Sequence, residues 1–302
     1  MRTTRSLWER FFCVIAAAGL ATGGCARSPA PRATTEVLPR VGIALGGGGA
    51  RGFAEIGVLR VLEQERIPVA VVAGTSVGAL VGALYADTGR VLDAEFHAVA
   101  LQEADVFDYA LSSVLSGGLI KGDALEEFLR TRLRHQAMEQ LALPFAAVAV
   151  DLRTGQPMIF TQGPVVSAVH ASAAIPGVFV PVTIDGKTYV DGGVVDPVPA
   201  DAARKLGAEV VIAVAIPPDI PQDTPTNPVV IAYRAVTIMA SLIGDLRSHE
   251  ADVVIRPDVG NAAFDDFSQK KRLIEAGEVA ARAALPEIRQ AILAKTRHEP
   301  AP

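Results

Sequence analysis

The sequence predicts an α/β fold of three layers, α/β/α, in which helices cover both faces of a mostly parallel central sheet. Two observations support this: short β-branched runs alternate with helical patterns, and two glycine-rich turns each join such a run to a helix. The chain has 302 residues, half of them hydrophobic, which is enough for one large core. The sequence contains no internal repeat.

Hydrophobic periodicity places the elements along the chain. Residues 53–64 show the helical pattern, because Ile56, Leu59 and Leu62 recur on one face. Residues 69–73 show the strand pattern, because most of them are valine. Strands are predicted at residues 41–45, 69–73, 145–150, 158–161, 187–190, 209–216 and 253–256. Helices are predicted at residues 53–64, 77–86, 123–133, 200–206, 229–246 and 268–284.

Two apolar segments allow more than one interpretation. Residues 67–86 are 20 residues without a charge, long enough for a transmembrane helix. Their first half is β-branched, their middle is Gly-Thr-Ser and their second half is rich in alanine and leucine, so a buried strand, a turn and a buried helix are predicted instead. Residues 229–246 carry only Arg234 and Asp245 as charges. They fit a lid, a membrane-facing helix or core, and core is the expectation.

Residues 1–24 have the pattern of a secretory signal peptide. Arginines precede residues 11–21, an uncharged stretch too short to span a bilayer as a helix. The small residues that follow lead to Cys25, and this arrangement resembles the lipobox of bacterial lipoproteins, whose cysteine is lipidated after cleavage. An ordinary cleavage site followed by an unmodified cysteine is the alternative. Cys13 would leave with the signal, so the mature chain could hold no internal disulfide.

The resemblance to lipoproteins sets the expected location. Residues 25–40 are interpreted as the lipidated cysteine and a flexible tether rich in proline, alanine, arginine and threonine. Ala26 is not the aspartate that retains lipoproteins in the inner membrane, so we expect an exported protein anchored to the outer membrane and facing the periplasm. The net charge is −5 and no basic block is present, so nucleic acid is not an expected partner.

Gly74-Thr75-Ser76-Val77-Gly78 is a G-x-S-x-G pattern between a predicted strand and a predicted helix. In this setting a tight turn raises the serine hydroxyl above the sheet edge, and glycines permit the turn and close packing. The helix N-terminus also favours negative charge that develops next to Ser76. The pattern predicts a nucleophilic serine, and a glycine-rich turn with a capping hydroxyl is the alternative.

A second glycine-rich turn, residues 46–52, also joins a predicted strand to a helix. It fits the dinucleotide fingerprint G-x-G-x-x-G, so a nucleotide-binding Rossmann fold must be considered. That fold needs an acidic residue at the end of the second strand, where this chain has Ser76. A P-loop is excluded because Gly52 is followed by Phe53 and not by lysine. An oxyanion loop is favoured, since successive glycine N–H groups can converge on one oxygen.

None of the five histidines has a sequence context that indicates a general base. A Ser–Asp–His order could use Ser76, Asp191 and His249, but His249 lies in a charged stretch typical of a solvated helix end. Asp191 follows the predicted strand 187–190 and precedes two glycines, which puts it at a strand end on a turn. An ordinary Asp-Gly turn is the alternative. The other histidines, expected on surfaces, in local hydrogen bonds or in the tail, are His97, His135, His170 and His298.

Four blocks, in this order and spacing, resemble those of the patatin-like phospholipase family. They are an oxyanion block, a nucleophile elbow, residues 171–179, and an Asp-Gly-Gly block. The similarity covers roughly residues 41–199, and the region from Ser248 onwards is similar to the C-terminal end of bacterial members. Asp196 departs from the asparagine of many bacterial relatives, with no expected effect on the chemistry. The oxyanion block consists of Gly47, Gly48, Gly49, Ala50, Arg51 and Gly52. The nucleophile elbow contains Gly74, Ser76 and Gly78, and the Asp-Gly-Gly block is Asp191, Gly192 and Gly193.

The resemblance implies a patatin-like fold over residues 41–296, with a tail at 297–302. It implies a serine esterase in which Ser76 attacks an ester carbonyl, Asp191 accepts the proton and residues 47–52 hold the oxyanion. Phospholipids or lysophospholipids are the implied substrates, and no cofactor or metal is implied. Arg51 would brace the loop or meet a substrate phosphate. The oligomeric state stays open.

Three points remain open at the level of sequence. An aspartate with an ordinary pKa of about 3.9 is a weak base, so burial and the helix N-terminus would have to assist it. A nucleotide-binding protein is one alternative function. A lipoprotein of the same fold that binds lipid without turnover is the other.

Overall fold

A central sheet with helices on both faces organises the chain. The structure is a computed structural model that describes residues 34–108, 118–218, 220 and 224–300. The predicted signal peptide and the predicted lipidation site Cys25 lie outside the described residues.

The elements of the described part alternate as the sequence predicts. Its strands are β1 (Thr34–Val37), β2 (Val41–Leu45), β3 (Val69–Thr75), β4 (Phe145–Asp151), β5 (Pro157–Phe160), β6 (Val182–Ile184), β7 (Lys187–Asp191), β8 (Val210–Val214), β9 (Val253–Ile255) and β10 (Arg297–Pro300). Its α-helices are α1 (Phe53–Gln64), α2 (Val77–Thr88), α3 (Val91–Ala100), α4 (Asp123–Arg132), α5 (Val165–Ala173), α6 (Ala200–Lys205), α7 (Pro228–Ser248) and α8 (Lys270–Lys295).

Hydrogen-bonded pairing connects the strands of the main sheet in the sequence β6–β7–β4–β3–β2–β8–β9, and β5 also pairs with β4. The inner part is parallel, because β2 pairs with β3 and β8, β3 with β4, and β8 with β9 in the same direction. Strands β5, β6 and β7 add antiparallel pairs at the β4 side. The predicted α/β/α class with a mostly parallel sheet is therefore confirmed.

Strands β3 and β7 meet end to end along one edge of β4. Thr75, the last residue of β3, pairs with Val148, and Asp191, the last residue of β7, pairs with Ala149, the next position of β4. Strand β5 pairs with the same β4 residues and therefore occupies the opposite edge. Because β3 is parallel to β4 and β7 antiparallel, the two chain ends point toward each other, and Ser76 follows directly where Asp191 lies.

Side-chain alternation along the strands divides the core into two layers. In β2, Ile43 and Leu45 join a large cluster with α1, α2 and α8, whereas Ala44 faces a smaller cluster with α6. In β8, Ile212 faces the large cluster and Ala213 the small one. Large aliphatic residues on one face and small ones on the other let three layers pack around one sheet.

The predicted strands and helices are confirmed to within a few residues, with two boundary differences at the C-terminal end. Helix α8 continues through Pro286 to Lys295, although proline removes one helix hydrogen bond. Ile288, beyond the proline, is fully buried, and this packing favours the continued helix. Strand β10 pairs with β1, so parts of the predicted tail and tether form a two-stranded sheet. The helices α3 and α5 and the strand β6 were not predicted.

The two ambiguous segments have different outcomes. Residues 67–86 form β3 and α2, as predicted, and no helix in the described part is both long and apolar enough to span a bilayer. The expectation that residues 229–246 are core is wrong. In α7, Met239, Leu242 and Leu246 are 54%, 62% and 71% exposed, because only one face of the helix packs against the domain. Hydrophobic composition alone does not distinguish a buried face from a solvent-facing one.

Candidate active site

Ser76 lies on a strained turn between β3 and α2. Its φ of 58° and ψ of −125° fall in a region that non-glycine residues rarely adopt. Gly74 and Gly78 make the turn possible, because a side-chain carbon on the first would collide with the backbone of the second, and one on Gly78 would collide with the end of β2. The strain holds the hydroxyl above the sheet edge in a fixed direction.

Ser76 and Asp191 are in direct contact. The Ser76 hydroxyl donates to Asp191 Oδ2 at 2.6 Å, and both residues are buried. The Gly193 N–H donates to the other carboxylate oxygen at 2.7 Å. The Asp191 N–H donates to the carbonyl of Ala174 at 2.8 Å, which fixes the end of β7 against α5. Each carboxylate oxygen thus has one partner, and the carboxyl group is aimed at the serine.

Burial changes the acid–base properties of Asp191. Desolvation raises its pKa to about 6, against the lowering effect of the hydrogen bonds from Ser76 and Gly193. The group remains ionised at neutral pH, and it is a stronger base there than an exposed aspartate. An aspartate with an ordinary pKa would be a weak base for this reaction, and the burial of Asp191 makes it a stronger one.

The structure narrows the predicted oxyanion loop. The Gly47 N–H donates to the carbonyl of Pro197 at 3.0 Å, and the Ala50 N–H donates to the carbonyl of Phe264 at 2.6 Å. These two amides are engaged within the protein, so the prediction that they hold the oxyanion is corrected. Their hydrogen bonds instead fix both ends of the loop against neighbouring segments.

The N–H groups in the middle of the loop remain available as the predicted oxyanion donors. Among the described residues, no acceptor bonds the N–H of Gly48 or Gly49, and both residues line a cavity with Ser76. Gly52 has a packing role, because its Cα lies against the side chain of Val77. Helix α2 begins at Val77, so the positive end of its dipole also lies next to the serine. Gly48 and Gly49 are therefore the best placed amides for an oxyanion.

Arg51 braces this loop. Its Nε donates to the carbonyl of Gly48 at 3.0 Å, and its Nη1 donates to the carbonyl of Pro217 at 2.9 Å. The side chain is 7% exposed. Of the two roles expected for Arg51, these hydrogen bonds favour bracing, since they connect the loop to the segment after β8.

Ser172 supports the turn that carries Ser76. In the sequence analysis it was only one residue of the block 171–179, with no role assigned to it. The Ser76 N–H donates to Ser172 Oγ at 3.0 Å, and that hydroxyl donates to the carbonyl of Val148 at 2.6 Å. Ser172 is completely buried. Helix α5, which carries it, was not predicted. The hydroxyl therefore connects the strained turn to β4 through two buried hydrogen bonds.

We expect Ser172→Ala to lower kcat about tenfold with little change in KM, because losing a buried hydrogen bond costs ~1–3 kcal/mol and loosens the turn that holds Ser76. Ser172→Thr keeps the hydroxyl and should restore most of the rate. Ser167→Ala, on a different face of α5, is the matched control. A loss carried by KM alone, or an equal loss in the control, would contradict a positioning role. Steady-state kinetics of ester hydrolysis measures all three variants.

A cavity of about 380 Å³ opens above the serine. Ser76, Asp191 and the glycine loop line one side of it, and α7 forms the other side through Val236, Ala240 and Gly244. The inner face of α7 is thus part of the site, and its outer face is the exposed one. The cavity size fits a small-molecule substrate.

The histidines lie elsewhere. Nδ1 of His170 is 2.8 Å from a carboxylate oxygen of Glu126, and Nδ1 of His135 is 2.9 Å from one of Asp87. His249 is exposed at the end of α7. Among the residues that line the cavity in the described part, none is a histidine. The arrangement Ser76–Asp191–His249 is therefore not assembled in this structure. His97 and His298 also lie outside the cavity.

Asp196 is buried beside the site without entering the cavity. Its carbonyl accepts the Thr75 hydroxyl at 2.8 Å, and its N–H donates to the carbonyl of Gly192 at 2.8 Å. Burial raises the pKa of its carboxyl to about 7, although the Arg247 charge opposes this. The backbone of Asp196 therefore holds the turn together, and the absence of an effect of its carboxyl on the chemistry stays a prediction.

A family model described as patatin-like phospholipase matches residues 43–204, which is 162 of the 302 residues. An uncharacterized NTE family protein of Mycobacterium tuberculosis is 37% identical over 191 residues, 62% of this chain and 53% of that protein. Patatin-like phospholipase domain-containing protein 7 of Rattus norvegicus is 32% identical over 183 residues, 58% of this chain and 13% of that protein.

A solved structure with a similar fold is VipD from Legionella pneumophila. It superposes with a TM-score of 0.50 at 13% identity, and the match covers 90% of this chain and 70% of VipD. At this identity the likeness concerns the fold alone. The chain spans about half the length of the mycobacterial relative and a small part of the rat protein.

Proposed function

The chain belongs to the patatin-like phospholipase family, and from this we propose that it is a serine acyl hydrolase that cleaves ester bonds of phospholipids or lysophospholipids through a Ser76–Asp191 dyad. The 2.6 Å hydrogen bond from the Ser76 hydroxyl to Asp191 is the observation that carries the proposal. A nucleophile in contact with its base, beside unbonded backbone amides, is the arrangement that acyl transfer requires.

The proposed reaction has two halves. Ser76 Oγ attacks the ester carbonyl while its proton moves to Asp191, and the N–H groups of Gly48 and Gly49 receive the oxyanion. The tetrahedral intermediate then expels the alcohol, which takes the proton from Asp191, and leaves an acyl-serine. A water molecule attacks this acyl group, again giving its proton to Asp191. The fatty acid leaves as Ser76 regains its proton.

Two other functions fit the observations less well. A nucleotide-binding protein would use the amides of the glycine loop for a pyrophosphate, but two of them bond Pro197 and Phe264, and Ser76 replaces the ribose-binding acid. A lipid-binding protein without turnover would not require a serine held in a strained turn against a carboxylate. Release of fatty acid by the purified protein, dependent on Ser76, separates hydrolysis from both.

Arg256 is the group we assign to the phosphate of a phospholipid. It lines the cavity above Ser76, and its side chain is 46% exposed. Its Nη2 donates to Ser248 at 2.9 Å and approaches Asp245 at 3.5 Å, which holds the guanidinium at the rim. Arg51 lines the same cavity, but its side chain bonds the carbonyls of Gly48 and Pro217. Guanidinium groups recognise phosphate well.

We expect Arg256→Gln to lower the ratio of kcat/KM for phosphatidylcholine to kcat/KM for p-nitrophenyl butyrate about tenfold, because a charge-assisted hydrogen bond contributes ~1.5–3 kcal/mol. Only the phospholipid carries a phosphate, so the ratio isolates that contact. Arg153→Gln, on an exposed loop outside the cavity, is the control and should keep the ratio. An unchanged ratio in Arg256→Gln would remove the phosphate assignment but not the esterase proposal.

A further inference from the structure

A second, smaller cavity lies against Ser76. It runs beside α2 and encloses about 60 Å³, and α7 takes no part in its walls. Apart from Ser76, the residues of the described part that line it are all apolar or glycine. Its larger side chains include those of Leu80, Leu84, Leu101, Phe107, Phe179 and Phe267.

Ser76 stands at the junction of the two cavities. Both are lined by Gly49, Ser76, Ile175 and Phe264, so they share a border at the nucleophile and at an amide of the oxyanion loop. Among the described lining residues, the charged ones all belong to the larger cavity. An ester bound at Ser76 has an apolar acyl side and a more polar alcohol side. The two cavities differ in a corresponding way, because only the larger one has charged side chains among its mainly apolar lining.

Resting on the proposed function, we propose that the smaller cavity is the acyl-chain site and that Leu84 limits the length of chain it takes. The acyl chain of the substrate enters past Ser76 and lies along α2, while the alcohol part of the ester stays in the larger cavity. The ligand class is an unbranched fatty acyl group, because the narrow space excludes bulky groups and, among the described lining residues, no side chain other than that of Ser76 can form a hydrogen bond.

The geometry of α2 sets the depth of this site. Val77, Leu80, Val81 and Leu84 line it, and this spacing puts them on one face of the helix. Leu84 lies eight residues after Ser76, which separates the two residues by about 12 Å along the helix axis. Leu84 is 2% exposed and closes the far end of that row. A longer chain would have to displace its side chain.

An aromatic cluster forms the facing wall. The ring of Phe107 lies 6.1 Å from that of Phe179, 6.3 Å from that of Phe264 and 6.1 Å from that of Phe267, measured between ring centroids. Phe53 packs edge-on against Phe267 at 5.9 Å. Rings held by several neighbours move less readily than one aliphatic side chain, so the length limit is assigned to Leu84.

The test compares p-nitrophenyl decanoate with p-nitrophenyl butyrate as a ratio of kcat/KM, in the full chain. Leu84→Phe should lower the ratio at least about tenfold by shortening the cavity, and Leu84→Ala should raise it about threefold by lengthening it. Leu129→Phe and Leu129→Ala are matched controls, since Leu129 is buried on α4 and lines neither cavity. If Leu84→Phe does not fold, Val81→Leu adds one methylene to the same wall of the smaller cavity and should also lower the ratio.

The outcomes distinguish the two proposals. Opposite shifts of the ratio in the two Leu84 variants, with both Leu129 variants unchanged, support the acyl-chain site. An unchanged ratio in folded Leu84 variants whose hydrolysis still depends on Ser76 overturns the acyl-chain site, and the smaller cavity is then a packing void. Hydrolysis of both esters at the wild-type rate in Ser76→Ala overturns the proposed function itself.

Discussion

Ser76→Ala is expected to reduce kcat/KM for p-nitrophenyl butyrate by at least about 10³-fold, because it removes the oxygen that forms the acyl-enzyme. The remaining rate would come from substrate binding and the oxyanion loop, which still act without the nucleophile. Wild type should also gain the mass of an acyl group on Ser76 during turnover, detected by mass spectrometry of rapidly quenched samples, and the variant should not.

Ser241 offers a matched control for this loss. It is another serine in the lining of the same cavity, on α7 opposite the glycine loop. Ser241→Ala should retain activity within about twofold, as is usual for substitutions that remove no transition-state contact. A fully active Ser76→Ala, or an inactive Ser241→Ala with its fold intact, would place the nucleophile elsewhere.

Asp191→Asn should cost about as much as the loss of the serine, because residues that act as a unit in catalysis are not additive. The amide cannot accept a proton, although it has the shape of the carboxyl group and can still accept the Gly193 N–H. The pH profile gives a second measurement. Wild-type kcat/KM should rise with pH and level off above about 6, since Asp191 must be ionised to act as base and its pKa is raised to about 6.

Stability and histidine replacement complete this test. Folding raises the pKa of Asp191, so the free energy of unfolding of the wild type decreases as pH rises from the unfolded pKa to the folded pKa of this carboxyl. Asparagine does not ionise, so Asp191→Asn should be at least as stable as wild type at pH 7. Thermal unfolding measures this and separates misfolding from lost chemistry. His249→Ala should keep both rate and profile, because His249 is exposed and outside the cavity. A large loss there, with folding intact, would replace the dyad by a triad.

The site residues differ in how well the sequence predicted them. Ser76 and Asp191 follow strands and sit beside glycines, and these local signals do not depend on the rest of the fold. The oxyanion loop was predicted only in part. Whether an amide is free depends on its distant partners, and Pro197 and Phe264, which engage Gly47 and Ala50, lie far away in the sequence.

Other features had no local signal at all. Ser172 acts through one hydrogen bond to the elbow and one to β4, and neither partner is near it in sequence. The smaller cavity exists only where α2, α3, α5 and an aromatic cluster meet. The outer face of α7 is as apolar as a core helix, and only its position at the rim of the larger cavity shows that it is exposed. The lipid anchor at Cys25 stays a prediction.

The sequence by itself determined the α/β class and the two glycine turns, and it predicted Ser76 and Asp191 as the reacting residues, because periodicity and turn chemistry are local properties. Only the tertiary structure decided that Ser76 and Asp191, 115 positions apart, form a pair. The physical reason is strand register: β3 and β7 end at adjacent positions of β4, and register is fixed by packing and hydrogen bonding across the whole sheet.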